Sequence, residues 1–333
     1  MESNVDKESS SIEKVKNFVG NHLNISILGT FLAVLTVCLF TIGSAVEFPE
    51  SWIIAKPIGK WIGDSVKYVT KEWSWALDGI SVTITYILVY IKKGLVFIPW
   101  PAAIIGISLV AWRMLNWKNG LFALVSLLIV AMFGLWESAM ETLAITGTSV
   151  ILSISIALPL GIWSAKSDTV DAIMRPILDG MQTMPSFVYL VPVIMFFSLG
   201  NVPAVIATIV YAVPPAIRLT NLGIRQVDPE VVEAARSFGT NPVQLLFKVQ
   251  IPMAVPTIMA GINQTTMMAL AMATIAALVG AGGLGLDVWR GLGRQRPGDA
   301  LMGGIGIVVL AILIDRITQA FAKARQEALK GSL

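Results

Sequence analysis

Residues 220–255 read TNLGIRQVDPEVVEAARSFGTNPVQLLFKVQIPMAV and form a long polar stretch in a half of the chain that is otherwise apolar. Asp228 is a good N-cap residue and Pro229 suits the first helical position, so the sequence predicts a helix over residues 230–238. Gly239 is typical of the position that follows a helix. The stretch therefore predicts a short, capped helix inside a loop between two apolar segments.

A second helix signal follows within the same loop. Asn241–Pro242 repeats the N-cap pattern, and a helix is expected over residues 243–250, ending before Pro252. In the first helix, Ala235 and Gly239 lie four positions apart and share a face, which leaves a shallow surface that another protein can approach. Two capped helices in one loop indicate a docking element rather than a simple connector.

The composition of the whole chain excludes an ordinary soluble protein. Of the 333 residues, 55% are hydrophobic and 14% are charged, and the mean hydropathy is +0.75. A soluble domain carries about 25% charged residues, so most of this chain is expected to face lipid. The net charge of +3 is too small to indicate binding to nucleic acid. A single cysteine, Cys38, and a single histidine, His22, exclude an internal disulfide and a multi-histidine metal site, and no metal site is predicted.

Eight apolar runs are candidate transmembrane helices. The first, residues 25–46, follows a polar tail over residues 1–24 and lacks a cleavage site, so it is interpreted as a retained span. Two accessory spans are expected within residues 100–136 and five more within the core, residues 137–320, before a tail over residues 321–333. The eight runs are residues 25–46, 101–115, 121–136, 143–165, 186–199, 203–219, 256–279 and 301–320.

Residues 47–99 interleave tryptophans with lysines, a composition typical of helices in the lipid headgroup layer. Residues 80–98 are more apolar but are interrupted by Lys92–Lys93, and they fit either a ninth span or a second interfacial segment. With eight spans, most Lys and Arg residues fall on the cytoplasmic side, together with both termini. We therefore expect an all-α polytopic membrane protein with about eight spans and an interfacial region over residues 47–99, which lies on the outer side.

A family resemblance rests on the loop. Glu233-Ala234-Ala235, three residues, Gly239, nine residues and then Val249-Gln250-Ile251-Pro252 resemble the EAA loop of ABC-importer permeases, with Val249 and Ile251 as conservative changes from the family's Ile and Leu. Further segments within about residues 102–320 are similar to the glycine betaine/proline betaine branch of that family. They are LDGMQTMPSFVYLVP at 178–192, GNVPAVIATIVYAVPPAIRLTNLGIRQV at 200–227, EAARSFGTNPVQLLFKVQIP at 233–252, PTIMAGINQTTMMALAMATIAALVGAGGLG at 256–285 and GGIGIVVLAILIDRITQA at 303–320.

The resemblance implies a MetI-like permease core and a loop that docks into a groove of a separate ATPase subunit. The chain lacks a nucleotide-binding motif, so it is expected to bind no cofactor and to be no enzyme, while two ATPase copies bind ATP and Mg. The other implied partners are a substrate-binding protein, a second permease copy in a homodimer, and lipid of a bacterial or archaeal inner membrane. The residues assigned to ATPase coupling are Glu233, Ala234, Ala235, Arg236, Ser237, Phe238, Gly239 and Pro252.

A path for a small zwitterion through the bundle needs polar side chains and aromatic faces. One candidate group flanks a helix break predicted at Met184–Pro185, and the other is a polar patch early in the span over residues 256–279. For Asn263 and Gln264, hydrogen bonding between helices is the alternative to lining a path. The candidate path residues are Gln182, Thr183, Met184, Pro185, Phe187, Tyr189, Asn263, Gln264 and Met267.

A further candidate site is predicted on the outer side of the membrane. A glycine-rich turn follows the span over residues 256–279, and Gly282, Gly283, Arg290 and Arg294 predict an outer gate or a contact for the binding protein. A solvated loop is the alternative for the arginines. Two other charged pairs receive structural interpretations: Glu137 and Glu141 as an interfacial face, and Asp315-Arg316 as the site of a local or interhelical ion pair.

The resulting functional hypothesis is a permease subunit of an ATP-driven, binding-protein-dependent importer of betaine-type osmolytes that works by alternating access. The same machine with choline, carnitine or proline as cargo is one alternative. An ion-coupled secondary carrier is another, but it predicts a charge deep within a span and no ATPase partner. The EAA-type loop argues against it.

Overall fold

Helices provide the regular secondary structure of residues 26–38 and 54–330, which are the residues that this computed structural model describes, without the side chains of residues 322 and 324–330. The polar tail over residues 1–24, His22, and the second half of the first predicted span lie outside the described residues. The chain divides into two compact units, residues 1–65 and 66–333.

The N-terminal part contributes two helices, α1 (Ser26–Cys38) and α2 (Ala55–Glu72). Helix α1 is apolar but, at 13 residues, shorter than a full span. Helix α2 is amphipathic, and none of its residues is buried. Its lysines are spaced by four, seven and four residues, which places all of them on one face. They are Lys56, Lys60, Lys67 and Lys71. The headgroup location of this helix stays a prediction.

Twelve further helices follow in the described part of the second unit. Short 3₁₀ turns at Ser186–Tyr189 and Ala276–Val279, and a π-helical stretch at Leu246–Gln250, join some of them. The helices are α3 (Ser74–Phe97), α4 (Trp100–Met114), α5 (Trp117–Met132), α6 (Trp136–Lys166), α7 (Asp168–Thr183), α8 (Leu190–Phe197), α9 (Asn201–Arg225), α10 (Pro229–Ser237), α11 (Pro242–Leu245), α12 (Ile251–Ile275), α13 (Leu284–Gly293) and α14 (Pro297–Lys330).

Within the described residues, five helical segments are long and apolar enough to cross a membrane, and the bent pair α7–α8 makes a possible sixth. The predicted count of eight is not confirmed, because α1, α4 and α5 are shorter apolar helices. The five segments are Ser74–Phe97, Trp136–Lys166, Asn201–Arg225, Pro242–Val279 and Pro297–Phe321.

Helix α3 contains residues 80–98, for which the sequence leaves a ninth span and an interfacial segment open. It is an uninterrupted helix of 24 residues, long and apolar enough to cross a membrane, which favours the span. Lys92 does not break it, because its Nζ lies 3.2 Å from a carboxylate oxygen of Glu141 on α6. One turn earlier, Leu88 shares a core with Ile145 of α6. Helix α3 thus runs antiparallel to α6.

Helices α6, α9, α12 and α14 form the centre of the second unit, with α6 and α12 packed against α9 and α14 packed against α12. Helices α6, α9 and α14 run in one direction and α12 runs in the other, so the bundle has two ends. We call the end with Lys166, Arg225 and Ile251 the coupling end, and the opposite end, with Trp136 and Asn201, the glycine-loop end. Because α3 is antiparallel to α6, it starts toward the coupling end.

The loop over residues 220–255 differs from its prediction in one respect. Helix α10 matches the predicted first helix within a residue, but the second helix does not end before Pro252. Helix α11 continues through the π-helical stretch directly into α12. Pro252 lies in the first turn of α12, where a missing N–H costs little, and the π turn changes the hydrogen-bond register just before it.

The break predicted at Met184–Pro185 is confirmed: α7 and the segment after it are bent by 106°. The predicted span over residues 186–199 is corrected, since its α-helix is only the eight-residue α8. At the other terminus, residues 321–330 are not a separate tail but continue α14.

Candidate functional site

Helix α10 is held by caps at both ends. Asp228 accepts a hydrogen bond from the backbone N–H of Glu230 at 2.9 Å. At the C-terminal end, Gly239 adopts φ +81°, and the N–H and hydroxyl of Thr240 both donate to the carbonyl of Ala235, at 3.3 and 2.8 Å. Only a residue that tolerates the left-handed region fits at Gly239. The loop sequence therefore fixes both the length of this helix and the direction of the chain after it.

The helix presents an open face. None of its residues is buried, and the side chain of Phe238 is 90% exposed. Glu233 and Arg236 border a cavity of about 300 Å³ at the base of the helix. Small residues, an apolar tip and a polar border are what a docking helix needs. The other residues assigned to coupling, Ala234 and Ser237 among them, are exposed on α10, while Ala235 is half-buried and Pro252 lies apart on α12.

Arg225 fastens the coupling end three residues before α10 begins. Its guanidinium contacts Asp168 at 2.6 Å, donates to the carbonyl of Ser164 at 2.8 Å and donates to Asn221 at 2.9 Å. Asn221 in turn donates to Asp171 at 2.6 Å. This network ties the end of α9 to the joint between α6 and α7. Sequence reasoning missed Arg225, because its partners on the α6–α7 joint, Asp168 and Ser164, lie more than 50 residues away.

The first group of path candidates lies at the bend between α7 and α8. Tyr189 is buried, and its hydroxyl donates to the carbonyl of Met181, which braces the bend. The remaining members of this group are exposed on the surface of the chain. They are Gln182, Thr183, Met184, Pro185 and Phe187.

The members of the second group of path candidates, on α12, have different surroundings. The side chain of Asn263 donates to Asp315 at 3.0 Å and accepts from Thr318, so it joins α12 to α14. Asn263, Gln264 and Met267 all border a groove of about 530 Å³ between these helices, and Gln264 is the exposed member of the three. Asn263 thus makes the contacts of an interhelical bond, whereas Gln264 faces open space. The residues that line this groove include none from the α7–α8 bend.

The local or interhelical ion pair expected at Asp315-Arg316 is not found among the described residues. In the part of the chain that the structure describes, the carboxylate of Asp315 accepts hydrogen bonds from Asn263 and from Gln319, the latter at 2.7 Å. Residues 315 and 316 are adjacent, so their side chains leave a helix in different directions.

The glycine loop, residues 280–283, closes the opposite end of the bundle. The N–H of Gly282 donates to the side-chain oxygen of Asn201 at 2.9 Å, and the N–H of Leu284 donates to the hydroxyl of Thr142 at 2.8 Å. Gly283 adopts φ +87°, and a Cβ there would overlap the Thr142 hydroxyl. The loop therefore needs glycine both for its backbone conformation and for its close approach to α6.

Glu141 lies beneath this loop. A Cβ at Gly282 would overlap its carboxylate, which also receives a hydrogen bond from Asn201 and pairs with Lys92. The expectation that Glu141 belongs to an interfacial face is therefore wrong, since its side chain is only 20% exposed and joins three elements. Sequence reasoning assigned no role to Asn201 or Lys92; the lysine pair Lys92–Lys93 in an apolar helix was the available signal.

A polar cavity of about 380 Å³ adjoins the glycine loop. Arg290 lines it together with Glu141 and Asp287, and one carboxylate oxygen of Asp287 is buried without a hydrogen-bond partner among the described residues. Arg294 is exposed at the end of α13. The predicted gate residues Gly282, Gly283 and Arg290 thus come together. Among the described residues no group of three potential metal ligands occurs.

Comparison with known proteins connects these features. The family model of the binding-protein-dependent transport system inner membrane component matches residues 157–327, which include the α7–α8 bend, the coupling loop and the glycine loop. The chain belongs to this family. It is therefore a multi-pass component of a binding-protein-dependent transport system, and the predicted permease core is confirmed.

Curated relatives support the assignment. The chain is 49% identical over 267 residues to the glycine betaine/proline betaine transport system permease protein ProW of Escherichia coli, which covers 80% of this chain and 75% of that protein. It is 44% identical to the glycine betaine transport system permease protein OpuAB of Bacillus subtilis, over 79% of this chain and 93% of that protein. These relatives confirm the predicted resemblance to the betaine branch.

A solved structure agrees on the fold. An inward-facing conformation of the MetNI methionine ABC transporter matches with a TM-score of 0.51 at 25% identity, over 59% of this chain and 97% of that chain. Lys92 and Glu141 precede the residues matched by the family model.

Proposed function

We propose that this chain is the permease subunit of an ATP-driven importer of betaine-type osmolytes, with glycine betaine or proline betaine as cargo. The observation that carries the proposal is helix α10, an exposed and doubly capped helix that bears the EAA–glycine pattern in a member of the permease family. The names of the two relatives described above support the cargo. Carnitine and choline permeases are also related, at 38% and 34% identity over about half of this chain, which favours betaine over these alternatives.

The chemistry of these cargoes is shared. Glycine betaine, proline betaine, carnitine and choline each carry a quaternary ammonium group, which cannot donate a hydrogen bond and is bound through aromatic faces and carboxylates. Proline lacks that group and remains the weaker alternative. An ion-coupled carrier is the least favoured, because such a protein has no use for an exposed docking helix.

The proposed mechanism is alternating access powered from outside this chain. ATP and Mg bind to two ATPase subunits, whose closure displaces α10. The movement reaches the bundle through Arg225 and opens the glycine-loop end, where a binding protein delivers the cargo near Arg290 and Arg294. In this proposal the chain carries out no chemistry itself, and a second permease copy completes a homodimer.

The path and the orientation belong to the same proposal. Gln264, Met267 and the exposed residues at the α7–α8 bend would face the cargo once the second copy encloses them. The coupling end would lie in the cytoplasm, together with the C-terminus at the end of α14 and, as the sequence predicts, the N-terminus. Lipid of the inner membrane surrounds the apolar faces.

Uptake by the reconstituted complex tests the proposal. The chain is assembled with its ATPase and its binding protein in liposomes, and ATP-dependent uptake of labelled glycine betaine is measured beside choline, carnitine and proline. We expect uptake of glycine betaine that requires ATP and all three components. Uptake without the ATPase would overturn the importer, whereas uptake of choline but not betaine would overturn only the cargo.

Two substitutions at Gly239 test the docking helix. Asp and Asn both tolerate the left-handed backbone at this position, so Gly239→Asn is a matched control without added charge. We expect Gly239→Asp to abolish transport while the protein remains folded and inserted, because it places a carboxylate on the docking face. Near-normal uptake by Gly239→Asp would show that the face is wrongly assigned.

A further inference from the structure

We propose that Lys92 and Glu141 form a positioning pair that holds the glycine loop closed, and that α3 thereby takes part in gating. This inference rests on the proposed import function and deepens it. It assigns a role to a helix that lies outside the residues matched by the family model.

A continuous set of contacts joins α3 to the loop. Lys92 Nζ lies 3.2 Å from Glu141 Oε1, and the amide of Asn201 donates to the same oxygen at 3.4 Å. The amide oxygen of Asn201, Oδ1, accepts a hydrogen bond from the N–H of Gly282 at 2.9 Å. Glu141 therefore orients Asn201, and Asn201 fixes the loop.

The shape of the loop makes this arrangement specific to the closed end. The carboxylate of Glu141 occupies the space where a Cβ of residue 282 would lie, so the backbone of the loop rests directly on it. In this proposal, opening separates Gly282 from Asn201 and Glu141, and each bond that stabilises the closed arrangement lowers the population of the open one.

The pair is sheltered enough to affect this equilibrium. The side chains of Lys92 and Glu141 are 33% and 20% exposed, so solvent screens their attraction less than that of a surface pair. Without Lys92, the Glu141 carboxylate keeps one hydrogen-bond donor, the amide of Asn201, and turns toward solvent. A population shift of roughly fivefold is the size expected when a partly sheltered ion pair is lost.

The rate of ATP hydrolysis in the absence of the binding protein reports the equilibrium between the closed and open arrangements of the glycine-loop end. In the proposed mechanism, closure of the ATPases is linked to opening of the glycine-loop end, so a weaker closed arrangement should raise this basal rate. We would measure it in lipid nanodiscs with the complete permease–ATPase complex, for Lys92→Gln, Glu141→Gln and the double variant. Lys93→Gln is the matched control, because Lys93 is the exposed neighbour on the same helix.

The expected result is a basal rate about fivefold higher in each single variant. The double variant should show the same increase and not the product of the two, because both changes remove one interaction. Lys92→Arg keeps the charge and should stay within about twofold of the wild type. Lys93→Gln should be unchanged.

Three outcomes would overturn the inference: basal rates in both single variants equal to that of the wild type, multiplied effects in the double variant, or an equal rise in Lys93→Gln. A complex that hydrolyses ATP but takes up no betaine would refute the proposed cargo alone, since the comparison of rates does not depend on the cargo. If Glu141→Gln fails to assemble, the basal rates of ATP hydrolysis of Lys92→Gln and Lys92→Arg still test the inference.

Discussion

At the coupling end the long side chain of Arg225 joins α9 to the α6–α7 joint, whereas at the glycine-loop end the backbone of a loop rests directly on α6. Arg225 reaches across a gap to Asp168 and Ser164, and α10 beyond it buries none of its residues. At the other end, Gly282 and Gly283 lie so close to α6 that a methyl group would not fit. Long side chains can follow a moving helix by changing rotamers, but close backbone packing permits few intermediate arrangements.

The difference matches what each end has to do in the proposed cycle. An end that follows an ATPase through a large movement needs adjustable contacts, and ionic bonds between long side chains supply them. An end that must be either shut or open needs contacts that are lost together. The comparison therefore predicts that substitutions of equal size have very different effects at the two ends.

The largest effect is expected from Gly283→Ala. The added methyl group would overlap the hydroxyl of Thr142, and φ +87° disfavours a residue with a side chain. We expect a loss of about 3 kcal/mol in the free energy of unfolding, from overpacking and backbone strain combined. Denaturant titration of the purified permease in detergent measures it.

Gly304→Ala is the control for this change. Gly304 lies within α14 and has no atom near the position of an added Cβ, so alanine should stabilise the helix by about 0.5–1 kcal/mol. Equal stability of the two alanine variants would mean that the glycine-loop end is no more tightly packed than a helix surface, and the comparison between the ends would fail.

The sequence was sufficient to predict the features that depend on local chemistry. Asp228, Pro229 and Gly239 specify helix α10 because caps act within a few residues, and Pro185 specifies the bend by removing a backbone donor. The EAA–glycine spacing pointed to the permease family, which the comparisons confirm.

What the sequence could not supply depends on distant partners. Lys92 looked like an interruption of an apolar helix because its partner is 49 positions away on α6. Pro252 was predicted to follow a helix end, because the π turn that changes the hydrogen-bond register just before it has no clear sequence signal. Asn201 and Arg225 carried no motif at all, since their importance comes from contacts that only the packed bundle creates.

A smaller effect is expected from Arg225→Gln at the coupling end. The variant loses the ion pair with Asp168, which is itself exposed, so solvent screening limits the loss to about 1 kcal/mol. We expect the number of betaine molecules taken up per ATP to fall more than the ATP hydrolysis rate, because α10 is no longer fastened to the α6–α7 joint. Parallel uptake and phosphate-release assays on one proteoliposome preparation give this ratio.

Arg175→Gln is the comparison for that variant. Arg175 binds Asp171 within its own helix and its side chain is 71% exposed, so a smaller loss of stability than in Arg225→Gln and an unchanged ratio are expected. If Arg175→Gln lowers the ratio as much as Arg225→Gln does, the joint is not fastened through Arg225. Arg225→Lys, which keeps the charge but not the forked geometry, should fall between the wild type and Arg225→Gln.

The smallest effect is expected between the two ends, where neighbouring amides on α12 have different surroundings. Asn263→Ala removes the bonds to Asp315 and Thr318 and should cost about 0.6 kcal/mol, the average for such bonds between membrane helices. Gln264→Ala removes an exposed amide beside the groove and should leave stability unchanged, while betaine uptake falls if the groove belongs to the path. Stability and uptake measured for both variants separate interhelical bonding from lining of the path. If Gln264→Ala lowered stability and Asn263→Ala did not, the roles assigned to these two amides would be reversed.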